Sequence, residues 1–184
     1  MRPFPLLLAL LGLPCFAAAQ SPAAKPAAAA APAADDKLKP LAFLAGKWQG
    51  EGWIMLGPGQ KSFFVQTETV EPRLGGRILT IEGRGTDKAN PQRVIHHAFA
   101  TLAYDAPSGT YRMRAYKADG AYTDALATLN ADGSMTWGFA IPNAGQVRFN
   151  IRQNAQGQWF ETGEFSRDGQ QWMQNFEMTL SRAK

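Results

Sequence analysis

Gly46-Lys47-Trp48-Gln49-Gly50-Glu51-Gly52-Trp53 opens, and Phe176-Glu177-Met178-Thr179-Leu180-Ser181-Arg182 closes, a run of at least eight segments in which apolar side chains recur at every second residue. At that period a β-strand sends one face to a core and the other to water. Outward from the first segment, Gly57-Pro58-Gly59 forces a reversal, and a second strand runs from Ser62 to Val70 and stops at Glu71-Pro72. Gly75-Gly76 leads into Arg77 to Thr86, and Asn90-Pro91 precedes the longest candidate, Arg93 to Tyr104. Alternation is plain in Tyr111-Arg112-Met113-Arg114-Ala115-Tyr116. Beyond it Asp119-Gly120, Asn130-Ala131-Asp132-Gly133, Asn143-Ala144-Gly145, Asn154-Ala155-Gln156-Gly157 and Arg167-Asp168-Gly169 break the chain at hairpin spacing. No room is left for crossover helices. The reading is an all-β fold, a single up-and-down antiparallel β-barrel of about ten strands, whose closure removes exposed sheet edges. Leu38 to Ala45, with Leu41, Phe43 and Leu44 apolar, predicts a short helical turn before the first strand that could plug one end.

The N-terminal side divides by composition. Met1-Arg2-Pro3-Phe4-Pro5, an apolar Leu6 to Phe16 and Ala17-Ala18-Ala19 fit a cleaved secretory signal over residues 1–19. Residues 20–37, almost only Ala and Pro at first, suit a disordered linker, and residues 38–184 form the barrel domain. The product is therefore expected to be exported, periplasmic or secreted. Cys15 is the single cysteine and leaves with the signal, since Gly12-Leu13-Pro14 makes a poor lipidation box. The mature chain then has no thiol for a disulfide, a thiolate metal site or nucleophilic catalysis. No second long apolar run follows, so no transmembrane segment is expected.

A formal charge of +4, with Lys and Arg dispersed among acids, gives no basic stripe and argues against nucleic acid as a partner. No phosphate loop, dinucleotide fingerprint, nucleophile elbow or metalloprotease helix is present, so no cofactor and no metal are expected. With eleven Phe, five Trp and four Tyr, the chain has enough aromatic surface to build a cysteine-free core. Trp137, Phe139, Phe149, Trp159, Phe165, Trp172 and Phe176 are candidates for that core or for the lining of an internal pocket.

Gly46-Lys47-Trp48 entering the first strand and Arg182 leaving the last resemble the calycin pattern of lipocalins and fatty-acid-binding proteins. That resemblance implies that Trp48 packs beneath Arg182 and closes the barrel. The longer stretch Leu44-Ala45-Gly46-Lys47-Trp48-Gln49-Gly50-Glu51-Gly52, with Gly75-Gly76-Arg77 and Tyr104-Asp105, is similar to nitrobindin-like haem-binding barrels and to the DUF1579 family. Nitrobindin-like proteins carry an axial histidine on the last strand. Here that stretch reads Trp172-Met173-Gln174-Asn175-Phe176-Glu177-Met178, without histidine, so the resemblance implies the barrel and not the haem chemistry.

His96 and His97 are the only histidines, and as strand neighbours they point to opposite faces, so they cannot chelate one metal together. Parity alone leaves open which one looks inward. Glu51, Glu68, Glu82, Asp124 and Glu161 lie in strands and could face inward, though a carboxylate there is more often solvated on the outside. Arg112, Arg114, Arg148 and Arg152 share strands with more apolar sets and are expected to face solvent. The leading expectation is a non-enzymatic barrel that holds a small hydrophobic or amphipathic molecule, with His96, His97, Trp137, Phe139, Phe149, Trp159, Trp172 and Phe176 as ligand contacts. Two alternatives are an enzyme using an inward His96 or His97 as acid or base, and a packed barrel acting through its surface. Haem binding is a minor branch, and the oligomeric state is left open.

Overall fold

The computed structural model describes residues 36–184, so the signal and most of the Ala/Pro linker lie outside the described residues. A 3-10 helix, Asp36–Leu44, precedes ten strands: β1 Gly46–Gly57, β2 Gln60–Arg73, β3 Ile78–Asp87, β4 Val94–Asp105, β5 Thr110–Lys117, β6 Tyr122–Leu129, β7 Met135–Ile141, β8 Gly145–Gln153, β9 Trp159–Ser166 and β10 Met173–Arg182. Each strand pairs antiparallel with its neighbours in sequence, and β1 pairs with β10 from Trp48 opposite Arg182 to Ile54 opposite Phe176. The sheet is thus a closed up-and-down barrel. Because the strands alternate in direction, the β1–β2, β3–β4, β5–β6, β7–β8 and β9–β10 connections gather at one end, and the 3-10 helix leads into the other.

One boundary departs from the sequence reading. Strand β2 does not stop at Glu71-Pro72 but continues, with Pro72 opposite Leu79 and Arg73 opposite Ile78. Past Val70 it has no β1 partner. Paired on one side only, it tolerates a residue without an N–H.

The helix end of the barrel is sealed by residues that the opening motif supplies. Leu38, Leu41 and Leu44 are buried beneath the strands, and the Tyr111 hydroxyl donates to the Lys37 carbonyl at 2.7 Å. Trp48, 1% exposed, donates its indole N–H to the Leu44 carbonyl at 2.7 Å and meets Trp159 edge-on at 6.0 Å. The Arg182 guanidinium lies 4.1 Å from the centre of the Trp48 ring and donates to the carbonyls of Phe43, at 2.8 Å, and Ala45. Gly46 has a φ of +124°, and a Cβ there would collide with Arg182 Nη1. The glycine two residues before Trp48 therefore makes room for the cation that covers the ring.

On the outer face, Arg114 donates to both carboxylate oxygens of Asp124 at 2.6 and 2.9 Å, Arg112 reaches Asp105 at 3.3 Å, and Arg148 reaches Glu164 at 2.5 Å. Arg152 lies over the Phe160 ring. These cross-strand pairs sit at the surface, where each is worth under about 1 kcal/mol.

Candidate ligand-binding cavity

Inward side chains from opposite sides of the barrel differ in size, and that difference leaves a cavity. Strands β3, β4 and β5 turn Gly83, Ala98, Ala100 and Ala115 toward the axis, while β7, β8, β9 and β10 present Trp137, Phe149, Trp159 and Phe176. The aromatics brace one another: Trp137 stacks on Phe149 at 4.6 Å, Phe149 meets Phe176 edge-on at 5.7 Å, and Phe176 stacks on Phe64 at 5.7 Å. They cannot also fill the space over the small-residue wall. About 510 Å³ remains, within the range of small-molecule sites. Its mouth lies at the end away from the 3-10 helix, bordered by Leu56, Ser62, Arg93, Val94 and His96. Leu56 and Val94 are 59% and 46% exposed, which gives the entrance apolar lips.

Unbroken pairing from Ile78–Ala103 to Gly85–His96 keeps His96 in parity with the inward Ala98, Ala100 and Leu102, and the register shifts only beyond it. Gly85 pairs with His96 and Thr86 with Val94, so Ile95 is an extra residue in β4, and Val94, Ile95 and His96 all border the cavity. His96 is reached by solvent through the mouth yet has protein on most sides; burial lowers its basicity, with the neighbouring His97 charge adding to the effect. His97 faces outward, its Nε2 3.4 Å from Glu82 Oε1, both side chains exposed. The inward histidine therefore has no hydrogen-bonded carboxylate among the described residues, and the histidine that has one faces away from the cavity.

Of the other expected contacts, Trp137, Phe149, Trp159 and Phe176 line the cavity. Phe139 stacks on Trp137 at 6.1 Å and packs against the core without reaching the cavity wall. Trp172 precedes β10, where strand alternation does not govern it, and its ring lies 4.0 Å from the Arg148 guanidinium on the outer side.

Two of the five strand carboxylates named in the sequence, for which the outer face is the commoner place, lie deep in the wall. Glu68, 7% exposed, sits opposite Gly83, where a Cβ would overlap its carboxyl group; Glu161 is 6% exposed beside Trp159. The Gln66 amide, itself over Gly85, donates to Glu68 Oε1 at 2.7 Å, and the Trp159 indole donates to Glu161 Oε2 at 3.1 Å. Glu68 Oε2 and Trp137 Nε1 are buried without a hydrogen bond; the Trp137 N–H still favours the ionised Glu161 from longer range. Burial pushes Glu68 up to about 7, against the pull of the Gln66 hydrogen bond. Burial, and then the charge of Glu68, push Glu161 up to about 8, against the two indole donors. Near neutral pH the pair therefore keeps at least one proton. A signal for Glu68 was present in the sequence: it shares parity with Phe64 and Val70, both of which are core residues.

No family model matches the sequence, and no curated protein is similar to it. Among solved structures, Rv2717c from M. tuberculosis superposes with a TM-score of 0.58 at 15% identity, over 80% of this chain and 97% of that one. The S-type phycobiliprotein lyase CPES from Guillardia theta superposes with a TM-score of 0.56 at 10% identity, over 77% of this chain and 89% of that one. The fold is calycin-like.

The haem ligand found in nitrobindin-like barrels has no counterpart in this calycin-like one. On β10 the wall residues are Phe176 and Met178, while Met173 is largely exposed, and the sole imidazole in the cavity wall, His96, belongs to β4 at the rim. The thioethers in the wall, Met113 and Met178, are weak axial donors, and with imidazole only at the rim this site does not fit haem. No described helix is long and apolar enough to cross a membrane.

Proposed function

We propose that this barrel is an exported binding protein of the DUF1579-like, nitrobindin-like group that holds a small, mostly apolar molecule in its interior and performs no chemistry on it. The observation that carries the proposal is the open cavity of about 510 Å³ between an alanine–glycine wall and an aromatic wall. A barrel that acts only through its surface gains stability from filling such a space, because empty apolar volume costs dispersion contacts. The export expectation rests on residues 1–19 and the absence of chemistry on the separation of His96 from any carboxylate partner. Trp137, Phe149, Trp159 and Phe176 would supply the contact area, and His96 would stand at the entrance.

The test is titration with the neutral fluorophore N-phenyl-1-naphthylamine, using wild-type barrel and the cavity-filling variants Ala98→Trp and Ala115→Trp, each checked for cooperative unfolding. Saturable one-to-one enhancement in the wild type, lost in at least one folded variant, is the expected result. Absence of saturable binding, or unchanged affinity in both folded variants, would overturn the proposal.

A further inference from the structure

We infer that the molecule held in the cavity carries a cationic nitrogen, a protonated amine on an apolar body, which Glu68 and Glu161 receive. This inference rests on the cavity being a binding site, and it follows from the polar groups in the wall. Among the described residues only four titratable side chains line the space: Glu68 and Glu161 in its depth, Arg93 and His96 at its mouth. Arg93 is largely exposed and is engaged by Asp87 at 3.2 Å. The depth therefore offers acidic groups and no cation.

Those acids are incompletely satisfied. Glu68 Oε2 is buried and accepts nothing, although a buried carboxylate oxygen without a donor is costly. The Gln66 amide is committed to Glu68 Oε1 and the Trp159 N–H to Glu161 Oε2, and the remaining indole N–H, that of Trp137, is neutral and makes no hydrogen bond. What the site lacks is a donor with positive charge between the two carboxyl groups. A protonated amine supplies up to three N–H donors and a charge, and a charge-assisted hydrogen bond is roughly twice as strong as a neutral one. The indole of Trp137 and the ring of Phe149 give the adjoining methylenes an apolar wall whose faces also attract cations. An alcohol gains a hydrogen bond there without neutralising charge. A carboxylate head group meets two acids and no cation in the depth.

The experiment is calorimetric titration of the folded barrel with decylamine, decanol and decanoate, all below their aggregation concentrations, repeated on Glu68→Gln and Glu161→Gln. The same ten-carbon body isolates the head group. The chain as a whole is positive, at +4, so nonspecific attraction favours decanoate, and an amine preference must come from the site. Decylamine is expected to bind about tenfold tighter than decanol and tighter still than decanoate, and the ratio of decylamine to decanol affinity is expected to shrink to about threefold or less in the variants. Equal or tighter binding of decanoate, or an amine preference that survives in both variants, would overturn the inference. Decanol binding with no amine preference would overturn this inference and leave the cavity reading intact. Binding of none of the three would overturn both.

Discussion

Forcing Glu68 and Glu161 to ionise inside the empty barrel is expected to destabilise it, and the pH window follows from their environments. Both carboxyl groups hold their protons more tightly in the folded chain than in the unfolded one, where they titrate near 4.5. Their stabilising share is thus complete below that value and is lost as pH rises through about 7 for Glu68 and about 8 for Glu161. His96, shifted the other way, has gained most of its neutrality-linked stability by its ordinary value near 6.5, so over a range starting at about pH 6.5 it opposes the fall by no more than about 0.4 kcal/mol. Integrating between about pH 6.5 and 8.5 gives a loss of about 1 kcal/mol from Glu68 and about 2 kcal/mol from Glu161. Urea unfolding of the ligand-free barrel at the two pH values measures the whole fall, about 3 kcal/mol, and Glu161→Gln should reduce it to about 1 kcal/mol or less. A wild-type stability that is flat or rises over this range would refute the reasoning, as would a fall that Glu161→Gln leaves intact.

Two further outcomes test the closed end and the missing haem site. Trp48→Ala is expected to cost about 3 to 5 kcal/mol in urea unfolding or to prevent folding, because it removes a buried indole, leaves the Leu44 carbonyl without its donor and takes from Arg182 the ring it covers; a loss below about 1 kcal/mol would refute the role of Trp48 in closure. Ferric haem added to the folded barrel is expected to give no saturable Soret shift that depends on histidine; a one-to-one shift abolished by His96→Ala or His97→Ala would show that β4 supplies a ligand that β10 lacks.

The barrel itself was legible because its determinants are local. Period-two alternation sets the strands, glycine and asparagine turns set the hairpins, and each strand pairs with the next in the chain. Even Pro72 misleads only by its type: a proline ends a central strand, but β2 has become one-sided by that point. The site was less legible because its determinants are long-range. In β4 both parity sets are largely apolar, and only closure of the barrel, which turns Ala98, Ala100 and Leu102 inward, carries His96 inward with them in the same unbroken register. For Glu68 and Glu161 the usual behaviour of glutamate in strands points outward; their burial depends on Gly83 standing across from one and Trp159 beside the other. The aromatic pattern groups Trp172 with the inward residues, yet it precedes the ladder that would have oriented it and stacks on Arg148 instead.

Local consistency fails at one place in this barrel, and the failures coincide. A wall of Gly83, Ala98, Ala100 and Ala115 forgoes packing, and two carboxyl groups facing the same space forgo solvation. Either feature alone could be repaired by substitution: larger residues would fill the space, and apolar residues in place of a buried polar cluster are often neutral or stabilising. Gly83 joins the two, since a side chain there would fill volume only by displacing Glu68. The space and the acids are thus one arrangement. Departures from packing and polar satisfaction are expected where a fold serves binding, and an occupant that supplies both apolar volume and a positive donor relieves the two departures together.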